Sequence, residues 1–196
     1  IGRVILAHHG AIVPEYLNRM QFVEEADVGR PLVSVWARRL KAINSALEVV
    51  EVPEYMSDAT AETWMKDCDI VIDGAPLFEE RYAMQRAAVR LNKPLCMGAM
   101  FAMEGYASTF IPGRTPCLSC IYPVAPDYWK DINVFPAIGP VPVMVGTTIA
   151  LEAIKVLTGF GETLANRLWY FDASTHLVRL LNIRRREGCE VCGHLH

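Results

Sequence analysis

Short apolar runs alternate with segments in which apolar residues recur every three or four positions along most of the chain. The short runs predict strands, and the three-to-four spacing predicts helices with one buried face. The predicted strands cover residues 3–7, 47–52, 70–73, 95–99 and 106–111, and the predicted helices cover residues 31–43, 57–66, 78–92 and 143–157. Strands this apolar are typical of a mainly parallel sheet that helices cover on both faces.

The end of the chain has a different pattern. Two alternating runs, at residues 167–172 and 177–183, predict a β-hairpin and therefore an antiparallel C-terminal extension of the sheet. The stretch from 112 to 142 holds most of the prolines, so we expect it to be largely loop. No repeat or low-complexity linker divides the sequence. We therefore predict an α/β fold in one domain, residues 1–196.

Composition narrows the function classes. Of the 196 residues, 52% are hydrophobic and 21% are charged, which excludes a disordered chain. The formal net charge of −3 argues against a nucleic-acid partner. There is no secretory signal, and the apolar segment 141–157 contains Glu152 and Lys155, so we expect a buried helix and no membrane partner. A cytoplasmic location follows as an expectation.

Four of the six cysteines form two Cys-x-x-Cys pairs. Each pair can place two thiolates on one tetrahedral ion, and two pairs complete a site of four sulfurs. Such a site has no open position for substrate, so its zinc would be structural. The predicted ligands are Cys117, Cys120, Cys189 and Cys192. The alternative is one redox-active pair and one inert pair. His194 and His196 follow the second pair, but four sulfurs are sufficient without them.

Further short motifs, taken in order with the cysteine pairs, make the chain resemble the ThiF/MoeB/HesA family, the bacterial relatives of ubiquitin-activating enzymes. The resemblance covers nearly the whole chain. The motifs are Asp27-Val-Gly-Arg-Pro31, Ile70-Val-Ile-Asp73, Phe78-Glu-Glu-Arg81-Tyr82, Asn92-Lys-Pro-Leu95, Thr115-Pro-Cys117 and Ala150-Leu-Glu-Ala-Ile-Lys155.

The resemblance implies a Rossmann-like fold, a homodimer or a heterodimer with a related chain, and adenylation chemistry. In that chemistry ATP and Mg²⁺ activate the terminal carboxylate of a ubiquitin-like or sulfur-carrier protein. Two anions must meet, so the reaction needs cationic groups and a metal ion to offset their charge.

Carrying the family's site over residue by residue gives three candidates. His8 stands where the family has the acid that takes the ribose hydroxyls, and it is a candidate cofactor-binding residue. Arg19 and Asp73 match family positions near the phosphates, and we predict both as catalytic and cofactor-binding residues. Each has a plainer alternative: His8 as a strand-end residue, Arg19 as a surface charge, and Asp73 as the cap of the next turn.

Other family positions are replaced. Leu32 stands in place of the phosphate-binding lysine, Pro76 in place of the metal-binding acid, and Tyr16 in place of an asparagine, and the stretch 131–138 lacks the thioester cysteine. The first residues align with the lead into the family's second strand. We therefore expect the family's first strand, glycine loop and helix to be missing.

These features leave two main hypotheses and a weaker third. The first is an adenylyltransferase that activates a carrier protein. The second is a catalytically degenerate family member that acts as an interaction or partner subunit. A nicotinamide or flavin cofactor in the same crevice is disfavoured, because no glycine fingerprint follows a strand.

Overall fold

The structure, a computed structural model, describes residues 1–129 and 136–195. The chain divides into two compact units, Ile1–Met56 and Ser57–His196. In the first unit, β1 (Arg3–Ala7) pairs in parallel with β2 (Glu48–Val52), and α1 (Leu32–Ile43) connects them. Short 3-10 turns at Pro14–Asn18 and Glu25–Asp27 lie between β1 and α1. The unit therefore has the β-α-β organisation that the sequence predicts.

The second unit contains a five-stranded sheet in the order β3-β4-β5-β6-β7. β3 pairs with β4 in parallel, and the later pairs are antiparallel. The predicted α/β class with an antiparallel C-terminal extension is confirmed. The elements are α2 (Ala61–Met65), β3 (Val71–Asp73), α3 (Phe78–Arg90), β4 (Leu95–Phe101), β5 (Glu104–Phe110), α4 (Leu118–Ile121), α5 (Pro140–Thr158), β6 (Arg167–Asp172) and β7 (Leu177–Asn182).

Three helices differ in detail from the sequence prediction. α2 begins at Ala61, four residues later than expected. α5 begins at Pro140, three residues earlier than expected. Proline is tolerated in the first turn because the backbone N–H that it lacks would have no partner within the helix at that position. In α1 the predicted apolar face includes Ile43, which is 69% exposed, since the helix ends at this residue. α5 ends at Thr158, one residue beyond the predicted end, and Gly159 follows it in the left-handed conformation at φ 69°.

α5 packs on the sheet through a notch that two glycines leave in β4 and β5. A Cβ atom on Gly98 would lie 2.7 Å from Val145 Cγ1 and 2.9 Å from Ile149 Cδ1. A Cβ atom on Gly105 would lie 2.7 Å from Val145 Cγ2. Only glycine therefore allows the helix to approach the strands this closely.

A buried carboxylate fixes α5 along its axis. Glu152 is 2% exposed, and its carboxylate accepts hydrogen bonds from the Thr109 hydroxyl at 2.6 Å, the Leu164 N–H at 2.5 Å and Lys155 Nζ at 2.8 Å.

By length and composition alone, α5 is apolar enough to cross a membrane. One face of α5 packs on the sheet through residues such as Val145 and Ile149, whereas Leu151, Ile154 and Leu157 are exposed. The expected buried helix is therefore buried on one face only.

We predict that Gly98→Ala destabilises the second unit by about 1–3 kcal/mol, because the added methyl group overlaps Val145 and Ile149. Urea unfolding measures the change. Gly146→Ala is the matched control, since this α5 glycine is exposed and has no atom within 4 Å of the added Cβ. It should raise stability by about 0.5–1 kcal/mol through helix propensity. Equal effects of the two changes would contradict the notch.

Candidate metal centre and nucleotide-site positions

The structure brings the four predicted cysteine ligands together. Their sulfur atoms all lie within 4.8 Å of one another. Neighbouring sulfurs are 3.8 Å apart in Cys117–Cys120, 3.6 Å in Cys117–Cys189 and 3.5 Å in Cys120–Cys192. These spacings are too long for disulfides, and they match the ~3.8 Å edge of a tetrahedron with metal–sulfur bonds of about 2.3 Å.

Side chains of the second unit hold the first pair in position. The buried Gln85 of α3 accepts the Leu118 N–H at 3.1 Å, which fixes the start of α4 beside Cys117. The Thr115 hydroxyl accepts the Ile111 N–H at 2.8 Å and donates to the Pro116 carbonyl at 2.8 Å. The first Cys-x-x-Cys turn is therefore anchored to α3 and to the end of β5.

The second pair forms a tight turn that requires glycine. The Gly193 N–H donates to the Cys189 carbonyl at 2.7 Å, and a Cβ atom on Gly193 would lie 2.5 Å from that oxygen. Gly188, just before the pair, has φ 63°, in the left-handed region that favours glycine. These two glycines let the turn fold back on the sulfur of Cys189.

The surroundings of the sulfurs suit metal-bound thiolates. Burial raises the pKa of Cys189, but the N–H groups of Cys192 and Val191, together with the thiols of Cys120 and Cys117, lower that pKa to about 7. Burial raises the pKa of Cys117 well above its usual range and that of Cys192 to about 11. A divalent cation would favour the thiolates over these buried thiols. The donor set and its spacing therefore fit a closed, tetrahedral site for a metal ion such as zinc.

Arg185 connects the two cysteine segments. Its Nε donates to the Thr115 carbonyl at 3.1 Å, and its Nη1 donates to the Leu195 carbonyl. A run of three arginines at 184–186 by itself indicates a solvated face, but Arg185 is half-buried. Only the fold brings its carbonyl partners together, so no local sequence signal marks it. His194 is exposed, in keeping with a solvated side chain, and His196 lies outside the described residues.

Asp73 is completely buried at the end of β3. Its Oδ2 accepts a hydrogen bond from Arg81 Nη1 at 3.0 Å, and its Oδ1 accepts the Ala75 N–H at 3.0 Å. Arg81 also donates to the Gly98 carbonyl at 2.9 Å. Burial raises the pKa of Asp73, and the opposing influence of Arg81 lowers it. These contacts favour the alternative of a turn cap, with Arg81 as an additional buried partner.

His8 follows β1 in the first unit and is half-buried. The Gly10 N–H donates to His8 Nδ1 at 2.9 Å, and its ring stacks on His9 with centroids 5.5 Å apart. Burial, and next the neighbouring His9, lower the pKa of His8 below 6.5. At neutral pH the ring is therefore uncharged, and Nε2 is the atom left to meet a ligand.

The remaining candidate positions of the nucleotide site differ in their burial and in their contacts. Arg19 is half-buried, and its Nε donates to Asn18 Oδ1 at 2.8 Å. Leu32 has no exposed surface and belongs to a cluster with Ile12, against which Tyr16 packs. In the second unit, the Pro76 carbonyl accepts the Trp129 Nε1–H at 2.7 Å. The stretch expected to lack a thioester cysteine falls mostly outside the described residues.

Comparisons with known proteins agree with the resemblance. The chain matches the ThiF family over residues 1–191. It is 34% identical to Protein HesA of Nostoc over 194 residues, covering 99% of this chain and 76% of that protein. It is 33% identical to the sulfur carrier protein adenylyltransferase of Thermus thermophilus over 203 residues, covering 98% of this chain and 74% of that protein.

A solved structure shows the same fold. A crystal structure of E. coli MccB with MccA-N7isoASN superimposes with a TM-score of 0.86 at 24% identity, covering 99% of this chain. This chain spans 61% of the length of that MccB chain. With the sequence match over residues 1–191 and the clustered cysteines, these findings show that the chain belongs to the ThiF family.

Proposed function

We propose that this chain is an adenylyltransferase that activates the C-terminal carboxylate of a ubiquitin-like or sulfur-carrier protein with ATP. One observation carries the proposal: almost the whole chain aligns with a relative named sulfur carrier protein adenylyltransferase at 33% identity. Other relatives are named adenylyltransferase and sulfurtransferase. An adenylyltransferase-type function in general has this support, and the carrier substrate is the finer part of the proposal.

The reaction needs charge compensation more than covalent help. A carboxylate oxygen of the carrier attacks the α-phosphorus of ATP, the bond from that phosphorus to the bridging oxygen of the β-phosphate breaks, and pyrophosphate leaves. The product is a mixed anhydride, which a sulfur nucleophile can attack. Both reactants are anions, so a cationic side chain at the phosphates stabilises the transition state.

Arg19 is the residue that we propose for this role. Its Nε donates to the side chain of Asn18, and its guanidinium is the cation that we propose to contact a phosphate. His8 would bind the ribose by a hydrogen bond at Nε2 in place of the family's carboxylate. Mg²⁺, when bound with ATP, offsets the charge of the phosphates.

We propose a supporting role for Asp73 rather than direct contact with ATP or Mg²⁺. Its carboxylate is fully buried and already accepts hydrogen bonds from Arg81 and the Ala75 N–H. Removing one partner of a buried ion pair leaves an uncompensated charge, so the pair holds β3, α3 and β4 together. The turn after β3, where Pro76 lies, is fixed by the same contacts.

The four cysteines complete the proposal with a structural zinc ion. The closed set of four sulfurs offers no position for substrate, so the ion would join the loop before α4 to the segment after β7. We further propose that the protein is cytoplasmic and acts as a homodimer or as a heterodimer with a related chain.

A specific observation favours the second candidate, a partner subunit without catalysis of its own. Leu32, at the position of the family's phosphate-binding lysine, has no exposed surface and packs in the core of the first unit. A neutral His8 also replaces the ribose acid. In this alternative the chain binds an active relative and leaves the chemistry to it.

The first test is exchange of labelled pyrophosphate into ATP by the full chain with a sulfur-carrier protein. We expect exchange that requires the carrier and Mg²⁺. Arg19→Gln should lower the exchange rate by roughly 10²-fold, because it removes a cation that stabilises the transition state. Arg179→Gln, which removes a surface charge on β7, is the matched control and should leave the rate unchanged.

The same carrier with an amidated C-terminus tests the substrate assignment, since an amide cannot form the anhydride. Exchange with the amidated carrier would contradict it. If the full chain shows no exchange and no heat of ATP binding by calorimetry, the adenylyltransferase proposal fails. Co-purification with an active relative would then support the partner subunit.

The metal centre makes a separate prediction. The purified protein should contain about one zinc ion per chain, and Cys189→Ser should reduce this below about half an ion, because a four-sulfur site loses one of its ligands. Gly193→Ala should have a similar effect, since its methyl group would overlap the Cys189 carbonyl oxygen. Elemental analysis by mass spectrometry measures the ratio.

Cys68→Ser is the matched control, because Cys68 lies outside the sulfur cluster and bonds instead to the Trp64 carbonyl. It should keep the full zinc content. Wild-type protein with less than about half an ion per chain, even after purification with added zinc, would rule out the site.

A further inference from the structure

An open groove of about 440 Å³ lies beside the cysteine segments in the second unit. Three of its lining residues are arginines and two are asparagines: Arg114, Arg184, Arg185, Asn166 and Asn182. The groove also includes Thr115, which directly precedes the first cysteine pair. We call it the arginine groove. Neither the adenylation chemistry nor the metal centre uses its exposed arginines.

The arginines of the groove form no ion pair with a carboxylate in the part of the chain that the structure describes. Within residues 1–129 and 136–195, no ion pair joins Arg114, Arg184 or Arg185 to an acidic side chain, whereas Arg86, Arg90 and Arg167 of the same unit each have one. Arg114 and Arg184 are exposed. Guanidinium groups prefer planar, paired acceptors such as carboxylates, so these two are available for an anionic ligand.

Arg185 makes the base of the groove rigid. Its guanidinium is half-buried and bonds to the carbonyls of Thr115 and Leu195. Carbonyl oxygens orient the cation without cancelling its formal charge. A ligand therefore meets a positive charge already held in place, which reduces the entropy lost on binding.

The shape of the groove selects the class of ligand. Small-molecule sites are concave, mostly apolar and enclose most of the ligand. This groove is open, and polar and apolar atoms line it in about equal measure, which suits a segment of polypeptide. It contains no aromatic side chain on which a nucleic-acid base could stack. Asn182 is also the last residue of β7, which lies at the edge of the described sheet, so an extended segment can follow that edge into the groove.

We propose that the arginine groove binds an acidic segment of a partner polypeptide, through its carboxylates at Arg114 and Arg184. The groove is a docking surface that shares no lining residue with the adenylation proposal. This docking role does not depend on whether the chain uses ATP.

A competing role for the same arginines is to balance the sulfur cluster. Four thiolates with one divalent cation carry a net charge of about −2, and nearby cations would offset it. Arg185 contacts both cysteine segments and suits that role. Arg114 and Arg184 are exposed, so their loss should leave the metal content intact.

The test is fluorescence anisotropy with labelled hexaglutamate and the zinc-loaded full chain at low ionic strength. We expect saturable binding that weakens as salt is added. Arg184→Gln should weaken it about fivefold and Arg114→Gln/Arg184→Gln more than tenfold, since each removes a charge-assisted hydrogen bond. Arg179→Gln, an exposed charge on β7 outside the groove, should change the affinity less than about twofold.

Zinc content and circular dichroism of each variant report whether the second unit stays intact. Absence of hexaglutamate binding to the wild type would overturn the proposal, as would equal weakening by Arg179→Gln. Loss of zinc in the double variant would assign the arginines to the sulfur cluster instead. Tighter binding of labelled hexathymidylate, with the same dependence on Arg114 and Arg184, would replace the peptide with single-stranded nucleic acid. No ATP is used, so the result is independent of the adenylation test.

Discussion

Four sulfur atoms within 4.8 Å of one another connect the loop before α4 to the segment after β7. Gln85 of α3 fixes the first cysteine pair, and Arg185 bonds both to the Thr115 carbonyl before that pair and to the Leu195 carbonyl after the second pair. The turn at Cys189 closes only because Gly193 has no side chain. Thr115 and Arg185 also line the arginine groove. The contacts that hold the sulfur cluster therefore also fix the chain at this groove.

The residues that pack the fold and the residues of the candidate ATP site are under different constraints in this chain. The scaffold keeps the features that packing demands, such as the glycine notch under α5 and the buried bonds of Glu152. Leu32, at the position that the resemblance gives to the phosphate-binding lysine, is buried in a cluster with Ile12, against which Tyr16 packs. The first unit therefore has an apolar core at this position.

Local patterns were sufficient to predict most of the elements. β3 is predictable because Val71 and Ile72 form an apolar run, and the α5 C-terminus because Gly159 follows the last apolar turn. The sulfur cluster is predictable because two Cys-x-x-Cys pairs satisfy one tetrahedral ion. The start of α5 was missed, since prolines are read as breakers although the first turn tolerates them.

Contacts between distant segments could not be predicted in this way. The Asp73–Arg81 pair joins β3 to α3. A buried carboxylate differs from a ligand-facing one in having such a partner, and the partner of Asp73 lies on another element. Arg185 was assigned to solvent because its neighbours in sequence are charged, whereas its carbonyl acceptors lie at residues 115 and 195. Long-range partners of this kind decide which of several similar arginines is structural.

The separation of the two cysteine pairs has a consequence for biosynthesis. Cys117 pairs in space with Cys189, and Cys120 with Cys192, across 72 positions of sequence in each case. A ribosome makes the first pair well before the second, so a nascent chain presents two thiols with an incomplete coordination sphere while α5, β6 and β7 are still being made. The four-cysteine cluster can therefore close only late in maturation. A metal ion that completes it would bind after every strand of the sheet has been translated.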